Sequence, residues 1–168
     1  MLFRSLRKAN TVSDNSEREF TPLTNNRLKH MNAVANRAYT LAKIMFGKTE
    51  YIARKMYIYG LLHDVGYVFD PNDHAHAGAR VLGDMGLDAE PIHDHGDPGI
   101  EAMSDELLIL NIADMTTSPT GETVRMSDRL KDIGERYGYA SKQHLDAYAV
   151  ANLILDELTA RGLPTVLL

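Results

Sequence analysis

From Thr24 to Arg161 the apolar residues return every three or four positions, and no stretch alternates apolar with polar. That period is the signature of amphipathic helices and excludes a sheet-based core. Thr24 and Asn25 are N-cap residues, Met31, Val34, Ala38, Leu41 and Met45 follow on one face, and Gly47 stops the helix. A second helix is expected over Thr49 to Asp64 with Ile52, Met56 and Tyr59 on one face, ended by Gly66 and Pro71. A third runs from Asp73 or His74 to Gly86, and Glu90 to His95 forms one or two short turns. Ser104 caps a helix over Asp105 to Met115, and a Thr, Ser, Pro and Gly loop covers Thr116 to Glu122. Ser127 caps a helix to Tyr137, and the last helix runs from Ser141 to Arg161 with Leu145, Tyr148, Leu153 and Leu155 among its apolar residues. The expected fold is all-α, a compact bundle of six to seven helices. Residues 1–20 read as an N-terminal arm and 21–168 as a single domain.

Four polar residues interrupt the apolar stripes. His30 lies beside the stripe that includes Val34 and Leu41; His63 continues Ile52, Met56 and Tyr59, with Asp64 directly after it; Asp114 continues Met103, Leu107 and Leu110. An ionised carboxylate on an apolar face is costly unless it is paired or ligates a metal. Taken one at a time, such residues are most often hydrogen-bonded core groups. Together they point to a site. The chain has seven histidines, six of them between His30 and His95, and no cysteine. Disulfides, thiolate zinc sites, iron–sulfur clusters and cysteine nucleophiles are therefore excluded, and a metal here must be held by imidazole and carboxylate.

The order and spacing of these residues resemble the HD-domain superfamily of metal-dependent phosphohydrolases. The matching pieces are Arg27-Leu-Lys-His30-Met-Asn-Ala-Val34, Gly60-Leu-Leu-His63-Asp64-Val-Gly66, His74-Ala-His76-Ala-Gly78-Ala79, Ile92-His93-Asp94-His95-Gly96 and Ala113-Asp114. They span roughly residues 24 to 137. The resemblance implies the compact six-ligand form, similar to bacterial dinucleoside tetraphosphate hydrolases. It assigns His30, His63, Asp64 and Asp114 to one metal and His74 and His95 to a second, with Asp64 bridging. His76 is an alternative to His74, and His93 to His95. In each pair the other histidine is expected beside the ligands, facing substrate or moving protons, or simply exposed. Asp64 and His63 are the implied catalytic centre.

The cofactor expected is one or two divalent transition metals, from Fe, Mn, Ni, Co or Zn. Arg129 and Arg125 are the candidate phosphate binders, by their fork geometry. His144 is far from the cluster in sequence and reads as a packing residue. One departure stands out: many family members carry Lys after His-Asp-x-Gly, where this chain has Tyr67.

The function implied is hydrolysis of a small phosphoester or phosphoanhydride, with a nucleotide as the expected substrate class. Two other readings use the same ligand set or pocket: a di-iron oxygenase of the same fold, and a non-catalytic nucleotide-binding regulatory module. Lys plus Arg is 18 and Asp plus Glu 23, for a net charge of −5, which argues against a general nucleic-acid binder. No run of 18 apolar residues occurs, so no membrane span is expected. The N-terminus lacks a secretory apolar region, so the expected location is cytoplasmic.

Overall fold

In a computed structural model, the described residues are 20–165. The expected arm at 1–20 therefore lies almost wholly outside them. Among the described residues seven α-helices run in the order α1 (Asn25–Ile44), α2 (Glu50–Leu62), α3 (His74–Asp84), α4 (Glu90–Asp94), α5 (Asp105–Met115), α6 (Met126–Tyr137) and α7 (Lys142–Ala160). Among the described residues there is no strand, only an isolated bridge between Thr117 and Thr123 inside the loop after α5. No described helix is long and apolar enough to cross a membrane.

Local chemistry sets most helix starts. Thr24, Thr49, Ser104 and Ser141 each accept a hydrogen bond from the backbone N–H three residues on, satisfying a donor the helix cannot. Two expectations shift. Helix α6 begins at Met126 after Arg125, so Ser127 lies inside the helix instead of capping it. Helix α2 ends at Leu62, with His63 as its C-cap and Asp64 at the head of a 3-10 turn over Val65–Val68. The pair His63-Asp64 thus sits where the backbone changes direction.

Helix α5 is the central element. Leu107, Leu108, Ile109, Leu110, Ile112, Ala113 and Met115 are all buried. Each fully buried Leu or Ile contributes about 1.5–3 kcal/mol relative to exposure. Helices α1, α2, α4, α6 and α7 all pack against α5. On α7 the buried stripe is Val150, Ala151, Ile154 and Leu158. Of the apolar residues named for that helix, Leu145, Tyr148 and Leu155 are exposed, and Leu153 packs against the core. The four-residue step from Val150 to Ile154 to Leu158 selects the other face.

Helices α1 and α2 approach closely at Gly60. A Cβ there would lie 2.6 Å from the Ala35 Cα and 2.7 Å from the Ala35 nitrogen. Alanine is the better helix former by about 1 kcal/mol, but these neighbours are backbone atoms and cannot rotate aside. We therefore expect Gly60→Ala to destabilise the fold by about 1–3 kcal/mol. A lowered urea midpoint would show this; an unchanged or raised midpoint would contradict the packing.

Candidate metal centre

His30 comes from α1, His63 and Asp64 from the end of α2, His74 from the first residue of α3, His95 from the end of α4 and Asp114 from the last turn of α5. Gly66 makes this convergence possible. A Cβ at Gly66 would lie 1.7 Å from the His74 carbonyl oxygen and 2.6 Å from the Gly78 nitrogen. Only a glycine lets the turn after Asp64 lie against the start of α3.

Asp64 is the hub. Its Oδ2 lies 3.5 Å from His63 Nε2 and 4.0 Å from His30 Nε2. Its Oδ1 lies 3.3 Å from His74 Nε2 and 3.9 Å from His95 Nε2. On the first side, Asp114 Oδ1 is 2.9 Å from His30 Nε2 and 3.8 Å from His63 Nε2. The geometry gives two groups that could hold a metal, His30–His63–Asp64 and Asp64–His74–His95, and they share only Asp64.

The tautomers fit that use. His63 Nδ1 donates to the Gly60 carbonyl at 2.8 Å, His95 Nδ1 to the Ile92 carbonyl at 2.6 Å, and His30 Nδ1 to the Ser118 carbonyl at 2.9 Å. A neutral imidazole that gives its Nδ1 proton to a carbonyl keeps a lone pair on Nε2. Three such nitrogens are aimed at two carboxylates, an arrangement that a proton or a metal cation between them can satisfy. His63 Nε2 is the sharpest case, being buried with no hydrogen-bond partner. Metal–nitrogen bonds of about 2.0–2.1 Å put neighbouring ligand atoms about 3 Å apart and opposed ones about 4 Å apart, which matches the 2.9–4.0 Å spacings around Asp64 and Asp114. The donor set therefore fits a divalent transition metal.

Charges follow from the same contacts. Burial opposes ionisation of Asp64, but His63, His95, Arg27 and His74 outweigh it and hold its carboxyl well below the usual range. Burial likewise opposes ionisation of Asp114, and His30, His63 and Arg129 hold it low. Burial and the neighbouring His95 push His74 down to about 4. Burial also pushes His63 down. Burial opposes protonation of His30 and His95, yet Asp114 and Asp64 respectively pull them up.

A cavity of about 240 Å³ opens on this cluster. Asp64, His74, His95 and Asp114 form its floor, Arg27, Tyr67 and Arg129 its polar sides, and Ile133, Ala147 and Val150 an apolar wall. Arg129 is only 11% exposed; it donates to Asp132 Oδ2 at 3.1 Å and has a buried Nε with no partner. The other substrate candidates do not reach this cavity. Arg125 is exposed and spent on Asp128. His76 and His93 point outward, with rings 4.3 Å apart in a separate surface groove, each Nδ1 held by the neighbouring Asp73 or Asp94. His144 donates to the Tyr139 carbonyl at 2.9 Å and does not line this cavity.

Two residues join the site without having been singled out. Arg27 pairs with Asp64 Oδ2, and its guanidinium lies 3.9 Å over the Tyr67 ring. Tyr67 in turn stacks on His74 at 4.1 Å. Arg27 lies one turn before His30 on the same face, a spacing visible in the sequence. Asn111 accepts a hydrogen bond from the Gly96 N–H at 3.0 Å, steadying the turn after His95.

The HD domain family model matches residues 27–118, more than half of the chain. The chain belongs to the HD-domain family. The match covers all six clustered residues and ends where the loop after α5 begins. HD domains carry out phosphohydrolase-type chemistry with divalent metals. Comparison with curated proteins gives no match, and comparison with solved structures gives none either.

Asp114 and Asp64 favour protonation of His30 and His95, so metal competes with protons for these two imidazoles of the HD domain. The apparent metal affinity is expected to fall as the pH drops from 8 to 6, with protons released on binding. Calorimetric titration in two buffers of different ionisation enthalpy measures both. A pH-independent affinity would contradict the assignment.

Proposed function

We propose that this HD domain is a dinuclear metal-dependent phosphohydrolase acting on a small phosphoester or phosphoanhydride, with nucleotides as the leading substrate class. The observation that carries this reading is the Asp64 carboxylate, whose two oxygens face two separate imidazole sets. His30, His63, Asp64 and Asp114 would hold one metal, and Asp64, His74 and His95 the other. When bound, such a pair supplies Lewis acidity toward the attacking water and the phosphoryl oxygens.

The chain's own residues prepare the rest. Arg129 offers the cavity a guanidinium whose Nε is unspent. Arg27 brings a second guanidinium from α1 to the place where Tyr67 replaces the lysine of many relatives, and so restores a cation there. A smaller cavity of about 130 Å³ beside His30 is lined by Arg27, Arg129 and Arg136. Arg136 is held by Asp132 and Arg27 by Asp64, which leaves Arg129 as the least committed of the three guanidiniums for a phosphoryl oxygen. Ile133, Ala147 and Val150 shield the reacting phosphorus from bulk water. Burial pushes the Tyr67 phenol up to about 12, so it remains a neutral donor at physiological pH.

The test is phosphate release from a panel of nucleotides and simple phosphoesters, with Mn, Fe, Ni, Co or Zn supplied. Turnover is expected with at least one metal, and Asp64→Asn should lower it by at least about a hundredfold, equivalent to about 2.7 kcal/mol. Arg129→Gln should raise KM by about tenfold with a smaller effect on kcat. Binding of a nucleotide without turnover under every metal would instead favour a regulatory module. Oxygen consumption by the iron form would favour the oxygenase.

A further inference from the structure

A second cavity lies on α1 away from the metal centre. It is a groove of about 610 Å³ between the helix and the loop over residues 116–123. Its walls are mostly apolar, with Ala33, Leu41, Ile44 and Met45 on the helix side and Gly121 and Thr123 on the loop side. Ile44 stands at its rim, 80% exposed. Into this apolar surface projects one cation, Arg37.

Arg37 is held but not neutralised. Its Nε donates to Thr116 Oγ1, and the Thr116 hydroxyl donates to the Ile112 carbonyl at 2.5 Å. No carboxylate among the described residues pairs with Arg37, and the two terminal nitrogens of its fork have no partner there. Burial alone acts on its ionisation, and lowers it. A partly desolvated guanidinium without a counter-charge is costly to maintain; Thr116 holds Arg37 through Nε, and Arg37 lines the groove. An apolar cavity with one oriented charge has the form of a small-molecule site. It is separate from the catalytic cavity: none of its lining residues lines the pocket over Asp64.

We propose that this groove binds a small amphipathic anion, with an oxyanion head group on the free fork of Arg37 and an apolar body along Ala33, Leu41, Ile44 and Met45. A carboxylate and a phosphate ester share this head-group chemistry, and either makes two parallel hydrogen bonds to the guanidinium.

The experiment is calorimetric titration of the full chain with octanoate and with octyl phosphate, using octanol as the neutral control. Saturable binding of at least one anion is expected, at least about tenfold tighter than octanol. Arg37→Met should weaken the anion by about tenfold and leave octanol unchanged. If Arg37→Met fails to fold once the Thr116 contact is lost, Ala33→Phe provides the second variant: it fills the groove and should block the anion and octanol alike. Anion binding that survives both variants and is lost in Arg129→Gln would place the ligand at the catalytic cavity and overturn the proposal. So would a dimer that Ile44→Asp dissociates without any anion binding, which would assign the groove to a second copy of this chain. Arg37-dependent co-sedimentation with anionic vesicles, without octanoate or octyl phosphate binding, would likewise overturn it in favour of a lipid surface.

Discussion

Asp64 is 3% exposed and ionised, and the surrounding structure is arranged to make that tolerable. Removing a carboxylate from water is expensive unless charge and hydrogen bonds replace the lost hydration. Here Arg27 replaces part of it directly, and four imidazoles crowd the remaining directions. The two oxygens are then divided between two groups of donors. The elements that meet at Asp64 are also those that build the core: α1, α2 and α5 pack together, and each ends or begins a stripe at a ligand position. Site and core are therefore not independent. The Gly66 turn serves both, since it seats α3 against the end of α2 and brings His74 to Oδ1 of Asp64.

Much of this was legible from the sequence because the energetics are one-sided. A polar residue that continues an apolar stripe is conspicuous, and His30, His63 and Asp114 show themselves in that way. The all-α fold followed from the helical period and the caps. Other features were hidden for physical reasons. Positions two apart on a short helix point to nearly opposite sides, so spacing alone left His74 open against His76 and His93 against His95. In the structure His74 and His95 face Asp64, and His76 and His93 are exposed with their rings tilted 41° to each other. Arg27 at a helix start looks like an ordinary solvated charge until α1 is packed against the end of α2. The α7 wall carries no signal near the motifs, because Val150 lies far along the chain from His95.

Charge takes on a different meaning once the fold is in view. The chain carries a net charge of −5, which by itself would repel a phosphate. Arg27 and Arg129 line both the main cavity and the smaller one beside His30, Arg136 lines the smaller one, and the main cavity also carries Asp146 beside the two carboxylates suited to holding metal. Divalent cations held on that floor would offset its carboxylates, so the net charge alone does not bar an anionic substrate.

The central claim is that Asp64 bridges two metals. Anomalous diffraction from crystals of the metal-loaded chain tests it most directly. The account predicts two metal peaks about 3.5–4 Å apart, one bound by His30, His63 and Asp114, the other by His74 and His95, with the Asp64 carboxylate between them. A single peak at saturating metal, or two peaks that do not share Asp64, would contradict it.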